Sequence, residues 1–189
     1  MFFQALCFLL GGAALAHSAP GKYSNDSFPA VDLGYAVHVP TSMKQAESGM
    51  SYANYDNIRF AQPPLGDLRF RRPAPPLPQD GIQNGSADAY SVSCVSSAPP
   101  DFPYASGNRT SWGREDCLFL NVRVPEGIKP GEKVPVLHWL YGSAYSIGSK
   151  DLSLDSIGVY NELYPPTQKY IQVASNYRLA CTHSSPISS

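Results

Sequence analysis

Two kinds of apolar patterning run along the chain. Between Val31 and Val39 apolar positions alternate, with Leu33, Tyr35, Val37 and Val39 on one face, which predicts a single strand with one side covered. Alternation returns where Leu118, Leu120 and Val122 interleave with Phe119 and Asn121, so a strand is expected to begin at Cys117. The stretch from Val134 to Tyr141 is different, because Val134, Val136, Leu137, Trp139, Leu140 and Tyr141 leave almost no polar face. A short continuous apolar run bounded by Pro135 and Gly142 predicts a strand buried on both faces of a parallel sheet. Tyr170 to Leu179 reads as a further strand, reached through a crossover in which Leu154, Ile157, Val159 and Leu163 form one irregular helix ended by Pro165-Pro166. The expected fold class is therefore α/β.

Between these runs the chain is irregular. Gln62 to Pro73 carries Pro63-Pro64 and Gly66, which impose an extended path with no regular hydrogen-bond ladder. Such a path is held by a few anchors, and Leu68, Arg69 and Phe70 are the candidates. Pro73 to Pro78 reads as a stiff polyproline-like connector. Asp80 to Ser111 is rich in turn formers and is expected to be long surface loop with one short helix.

Composition narrows the setting. The length of 189 residues allows one domain with a sizeable core, and a net charge of -1 gives no electrostatic footprint for nucleic acid or an anionic membrane. Residues 1–16 form an apolar run ending Ala14-Leu15-Ala16, which reads as a secretory signal rather than a membrane span. Residues 17–30 would follow as a flexible segment. Sequons at Asn25, Asn84 and Asn108 stand among turn formers, so they read as surface glycosylation sites on a secreted chain. No metal-ligand spacing occurs, and no cofactor motif is expected.

The turn after Tyr141 carries the candidate chemistry. In open α/β sheets ligands bind at the carboxyl ends of strands. Gly142, Ser143 and Ala144 place little side chain there, so backbone N–H groups can point at an incoming oxygen, as an oxyanion hole requires. The segment Trp139-Leu140-Tyr141-Gly142-Ser143-Ala144-Tyr145 resembles the oxyanion loop of the type-B carboxylesterases, a family that includes cholinesterases and fungal secreted esterases and lipases. That family usually shows Gly-Gly-Gly-Phe where this chain has Gly142-Ser143-Ala144-Tyr145, and serine and alanine tolerate a positive φ poorly. The resemblance extends to Pro63-Pro64-Leu65-Gly66-Asp67-Leu68-Arg69-Phe70, to Glu115-Asp116-Cys117-Leu118-Phe119-Leu120-Asn121, and to Ser175-Asn176-Tyr177-Arg178-Leu179. It implies an incomplete α/β-hydrolase fold over residues 31–179, a disulfide between Cys94 and Cys117, and an ion pair between Arg69 and Glu115. It also implies an ester as the small-molecule substrate of the full-length family.

The family hydrolyses esters with a serine on a Gly-x-Ser-x-Gly elbow, followed in the chain by an acid and a histidine. No Gly-x-Ser-x-Gly occurs in this sequence, so no catalytic triad is assigned. His183 beside Ser184 and Ser185 lies in a polar tail, which cannot hold a base against a nucleophile. His138, inside an apolar strand, reads as a packed, hydrogen-bonded histidine. Residues 180–189 look unrelated to the family, as an out-of-frame ending or a genuine short variant would, and Cys181 there lacks an evident partner. The reading is thus an N-terminal piece of a secreted ester hydrolase, itself inactive, with an apolar strand edge left open to aggregation. A non-catalytic extracellular binding module on the same scaffold and a glycosylated structural protein are the rivals.

Overall fold

A computed structural model describes residues 28–46, 48–85, 92–98, 111–142, 144–151 and 169–179. The expected crossover helix and the tail lie outside these residues. A five-stranded sheet organises the described chain. Its strands are β3 (Ser42–Gln45), β4 (Ser51–Arg59), β8 (Phe119–Pro125), β10 (Ile171–Ser175) and β9 (Val136–Trp139), in the spatial order β3-β4-β8-β10-β9. Four neighbours pair antiparallel through β10, and only β9 runs parallel to its partner, with His138 opposite Val173. A three-stranded sheet joins β1 (Val31–Asp32), β2 (Val37–His38) and β5 (Ile82–Gln83), and β6 (Ser96–Ser97) pairs with β7 (Ser111–Trp112).

Each face of the large sheet follows from alternation along its strands. On one side Ala53, Tyr55 and Ile58 of β4 pack with Leu120, Val122 and Val124 of β8 beneath Phe28. On the other, Asn54, Arg123 and Gln172 stand in one row across three strands, with Arg123 Nη1 donating to Gln172 Oε1 at 3.1 Å. The β4–β8 register slips between Tyr55 and Ile58. There Asn57 adopts a positive φ of 53° and its N–H donates to Asn121 Oδ1 at 3.0 Å, so a side chain replaces the missing ladder bond.

Several expectations are corrected. Val31 to Val39 is a tight hairpin rather than one strand, with Val31 opposite His38. Asp32 accepts the Gly34 N–H at 2.7 Å and Gly34 takes φ +81°, so local turn chemistry overrides the alternation. The strand expected from Cys117 starts two residues later, at Phe119, and Cys117, Leu118 and Phe119 join a separate buried cluster with Ala61, Val92 and Cys94. The loop expected from Asp80 contains β5 and β6 instead. Phe70, expected as an anchor, is 56% exposed, with the Arg69 guanidinium 5.2 Å from its ring centroid.

The largest correction concerns β9. All four of its residues are exposed, Val136 to 59%, where burial on both faces was expected. The strand has β10 on one side and, among the described residues, nothing on the other. An apolar pattern records what a side chain prefers, but the neighbour that would cover it is not in the pattern.

His38 on β2 is buried, and its Nε2 has no hydrogen-bond partner among the described residues. Burial holds its imidazole below the ordinary value of 6.5. The folded state therefore favours the neutral ring, so this contribution to stability is present above 6.5 and is lost as pH falls below it. Urea midpoints taken across that range should drop on acidification, and His38→Gln should flatten the drop.

Candidate functional site

Because β9 and β10 are parallel, their carboxyl ends lie side by side, and the loops after Trp139 and Ser175 meet there. Two tyrosines lock the meeting point. Tyr141 donates its hydroxyl to the Tyr177 carbonyl at 3.1 Å, and Tyr177 donates its own to the Tyr141 carbonyl at 2.5 Å. Their rings stack with centroids 4.3 Å apart. Burial pushes the Tyr141 phenol up to about 12, with the neighbouring Tyr177 adding to the rise and its backbone hydrogen bond opposing it. The hydroxyl thus stays protonated and keeps its donor role at neutral pH.

From this clamp the loop turns back on itself. Gly142 follows Tyr141 directly; Ser143 lies outside the described residues. Ala144 and Tyr145 hold positive φ values of 52° and 59°, and Tyr145 is 71% exposed. Two successive non-glycine residues in the left-handed region store strain, about 1 kcal/mol or more each. Ala144→Gly should raise stability by up to about 1 kcal/mol, reduced by glycine's greater freedom when unfolded, whereas Ala144→Val should lower it by about as much. Urea unfolding of the two variants checks both signs. The loop is held farther on by Ser97, whose N–H donates to the Ser146 carbonyl at 2.9 Å. It closes at Gly148, where a Cβ would stand 2.4 Å from the Tyr141 ring. Only glycine lets the chain pass that close.

Behind the loop lies a residue that sequence reasoning quoted but gave no role. Asn176 is buried; its Oδ1 accepts the Lys150 N–H at 2.8 Å, and its Nδ2 donates to the carbonyls of Val92 at 2.5 Å and Cys117 at 3.0 Å. The only sequence signal was a polar side chain directly after an apolar strand. Lys150 is itself buried, its Nζ 2.6 Å from Asp151 Oδ2, and Asn121 Nδ2 donates to Asp151 Oδ1 at 2.7 Å.

Three consecutive residues then tether three upstream segments. Cys117 is bonded to Cys94. Asp116 takes Arg59 in a bidentate pair at 2.6 and 2.9 Å, with the guanidinium also 4.3 Å over the Phe119 ring. Glu115 Oε1 lies 2.7 Å from Arg69 Nε, which fixes the proline-rich path to the start of β8. The Arg59–Asp116 pair was not anticipated, since nothing in the spacing separates it from an exposed charge. Gly113 permits the close approach, for a Cβ there would meet the Cys94 carbonyl oxygen at 2.4 Å.

The remaining candidates are dispersed. Asn84 is exposed at the turn after β5, and Asn25, Asn108, His183 and Cys181 lie outside the described residues. His138 Nε2 is 2.9 Å from Ser175 Oγ, across two adjacent strands rather than at the loop. No helix among the described residues is long and apolar enough to cross a membrane. What the described residues offer is a strained turn, held by two tyrosines, at the end of a parallel strand pair.

The fold is shared with esterases of the α/β-hydrolase class. The solved structure of Aspergillus niger EstA superposes on 82% of this chain with a TM-score of 0.60 and 27% identity, the match taking in 27% of that enzyme. The described residues are thus a strand-rich, partial version of that fold. A family model described as "Carboxylesterase family" matches residues 40–182, and the chain belongs to that family. Among curated relatives, an acetylcholinesterase of Gallus gallus is 40% identical over 139 residues, covering 70% of this chain and 17% of that protein. A secreted triacylglycerol lipase of Gibberella zeae is 31% identical over 161 residues, covering 76% of this chain and 26% of that protein. The chain thus spans about a quarter or less of the length of such relatives.

Proposed function

We propose that this chain is the oxyanion-loop portion of a secreted carboxylic-ester hydrolase that works through an acyl-enzyme, and that on its own it turns over no substrate. The observation that carries the reading is the loop from Gly142 to Gly148, clamped by Tyr141 and Tyr177 at the end of a parallel strand pair. In the parent reaction the N–H groups of Ser143 and Ala144 stabilise the tetrahedral oxyanion. The attacking serine, the acid and the histidine would come from sequence this chain lacks, since it contains no Gly-x-Ser-x-Gly. Export fits the apolar leader over residues 1–16 and the three sequons, with glycans at Asn25, Asn84 and Asn108.

A fluorophosphonate probe and an aryl acetate test this. The chain should take up no label and show no hydrolysis, whereas a product extended through a Gly-x-Ser-x-Gly should do both. Hydrolysis by the present chain that disappears on replacing one of its serines would overturn the reading, and an extended product that stays unlabelled would favour a non-catalytic binding role.

The exposed edge of β9 has a consequence in the same reading. Val136, Leu137, Trp139 and Leu140 are exposed and carry no edge-blocking charge, so the chain alone should self-associate. Sedimentation velocity should show higher species that Leu137→Lys shifts toward monomer.

A further inference from the structure

We propose that Asn84 is a self-modifying site, converting through a cyclic imide to aspartate and isoaspartate while the chain is folded. The asparagine is exposed and precedes Gly85. Glycine at 85 is required by packing: its φ is +64°, and a Cβ there would stand 1.9 Å from the Asp56 carbonyl oxygen and 2.9 Å from the Thr41 methyl group. No residue with a side chain fits. The fold therefore keeps a residue without a side chain directly after an exposed asparagine, and the lability comes with it.

In the reaction the Gly85 nitrogen gives up its proton and attacks Asn84 Cγ. A C–N bond forms, the bond from Cγ to Nδ2 breaks, and ammonia leaves with the proton. Water then opens the imide at either carbonyl, giving aspartate or isoaspartate without any redox partner. The isoaspartyl product adds a methylene to the main chain between two tethered carbonyls. Gln83 O accepts from Val39 N at 3.0 Å, and Gly85 O accepts from Asn57 Nδ2 at 2.9 Å. Lengthening the path between them pulls on the bulge where Asn57 already has an Oδ1 without a partner among the described residues. Conversion also removes the nitrogen that a glycan at this sequon would need, and a glycan there would occupy the nitrogen that must leave.

The test uses the full chain, made without glycosylation, held folded in mildly alkaline buffer and compared with a urea-unfolded sample. Peptide mass spectrometry should find the amide-to-acid mass gain at Asn84 ahead of every other asparagine. Isoaspartyl methyltransferase labelling should appear with it, and both should be lost in Asn84→Gln. Material from a secretory host should be protected where a glycan is attached, and Ser86→Ala should restore conversion. A folded chain that keeps Asn84 intact while the unfolded chain converts it would overturn the proposal, as would conversion led by another asparagine. Neither result bears on ester hydrolysis.

Discussion

Replacing Cys94 and Cys117 together by alanine is expected to lower the free energy of unfolding by about 3 kcal/mol, the loop-closure value for a bridge of this span. The sequence separation is 23 residues, and both cysteines are fully buried beside Ala61, Val92 and Leu118. The double variant is the right comparison, because a single replacement leaves a thiol free to pair with Cys181. The loss should exceed that from Glu115→Gln. That ion pair is about 30% exposed on both partners, so its contribution falls toward the value of roughly 1 kcal/mol or less typical of surface pairs. Chemical denaturation of both variants gives the ranking. A double variant as stable as the parent would mean that the Arg59–Asp116 pair and the surrounding packing hold this region without the bridge.

The outcome bears on what a sequence of this kind makes legible. Glu115 and Cys117 act on partners 46 and 23 residues away, pairings that the family resemblance implied, whereas Asp116 takes Arg59, 57 residues away, in a pair that nothing in the sequence singled out. The fold class and the family could be read because the strand runs and the Tyr141-Gly142 turn are local. What could not be read depends on neighbours. The apolar run at Val136 to Trp139 states a preference for burial, yet the strand stands exposed beside β10 alone among the described residues. The alternation from Val31 to Val39 states a preference for extension, yet an aspartate-glycine turn divides it. A positive φ was foreseen as a difficulty at Ser143 and Ala144 and not at Tyr145, and the structure accepts that strain at Ala144 and Tyr145. The Tyr141–Tyr177 stacking and the packing of Gly148 on that ring supply contacts that hold the loop in place.

Asn176 is where these threads meet, and Asn176→Asp should be among the most damaging single changes in the chain. The substitution keeps size and shape, and one oxygen still accepts the Lys150 N–H. The other oxygen now faces the Val92 and Cys117 carbonyls, where the amide donated two hydrogen bonds. The Val92 carbonyl loses its donor, at about 1–3 kcal/mol, the Cys117 carbonyl keeps only the Phe119 N–H at 2.8 Å, and a carboxylate is added to a buried site. The cost should reach about 3 kcal/mol or more, a large part of the stability of a small domain. It should also depend on pH with a definite sign. A protonated carboxyl can donate to one carbonyl, so folding raises the pKa of the introduced group. The variant then retains most stability below the ordinary aspartate range and loses it as pH rises through the shifted value. Urea midpoints should therefore fall with increasing pH in Asn176→Asp. Asn176→Leu, which cannot titrate, should be destabilised without that slope. Equal slopes in the two variants would mean that the amide's partners are satisfied some other way, and that the loop after Tyr141 does not depend on the buried asparagine behind it.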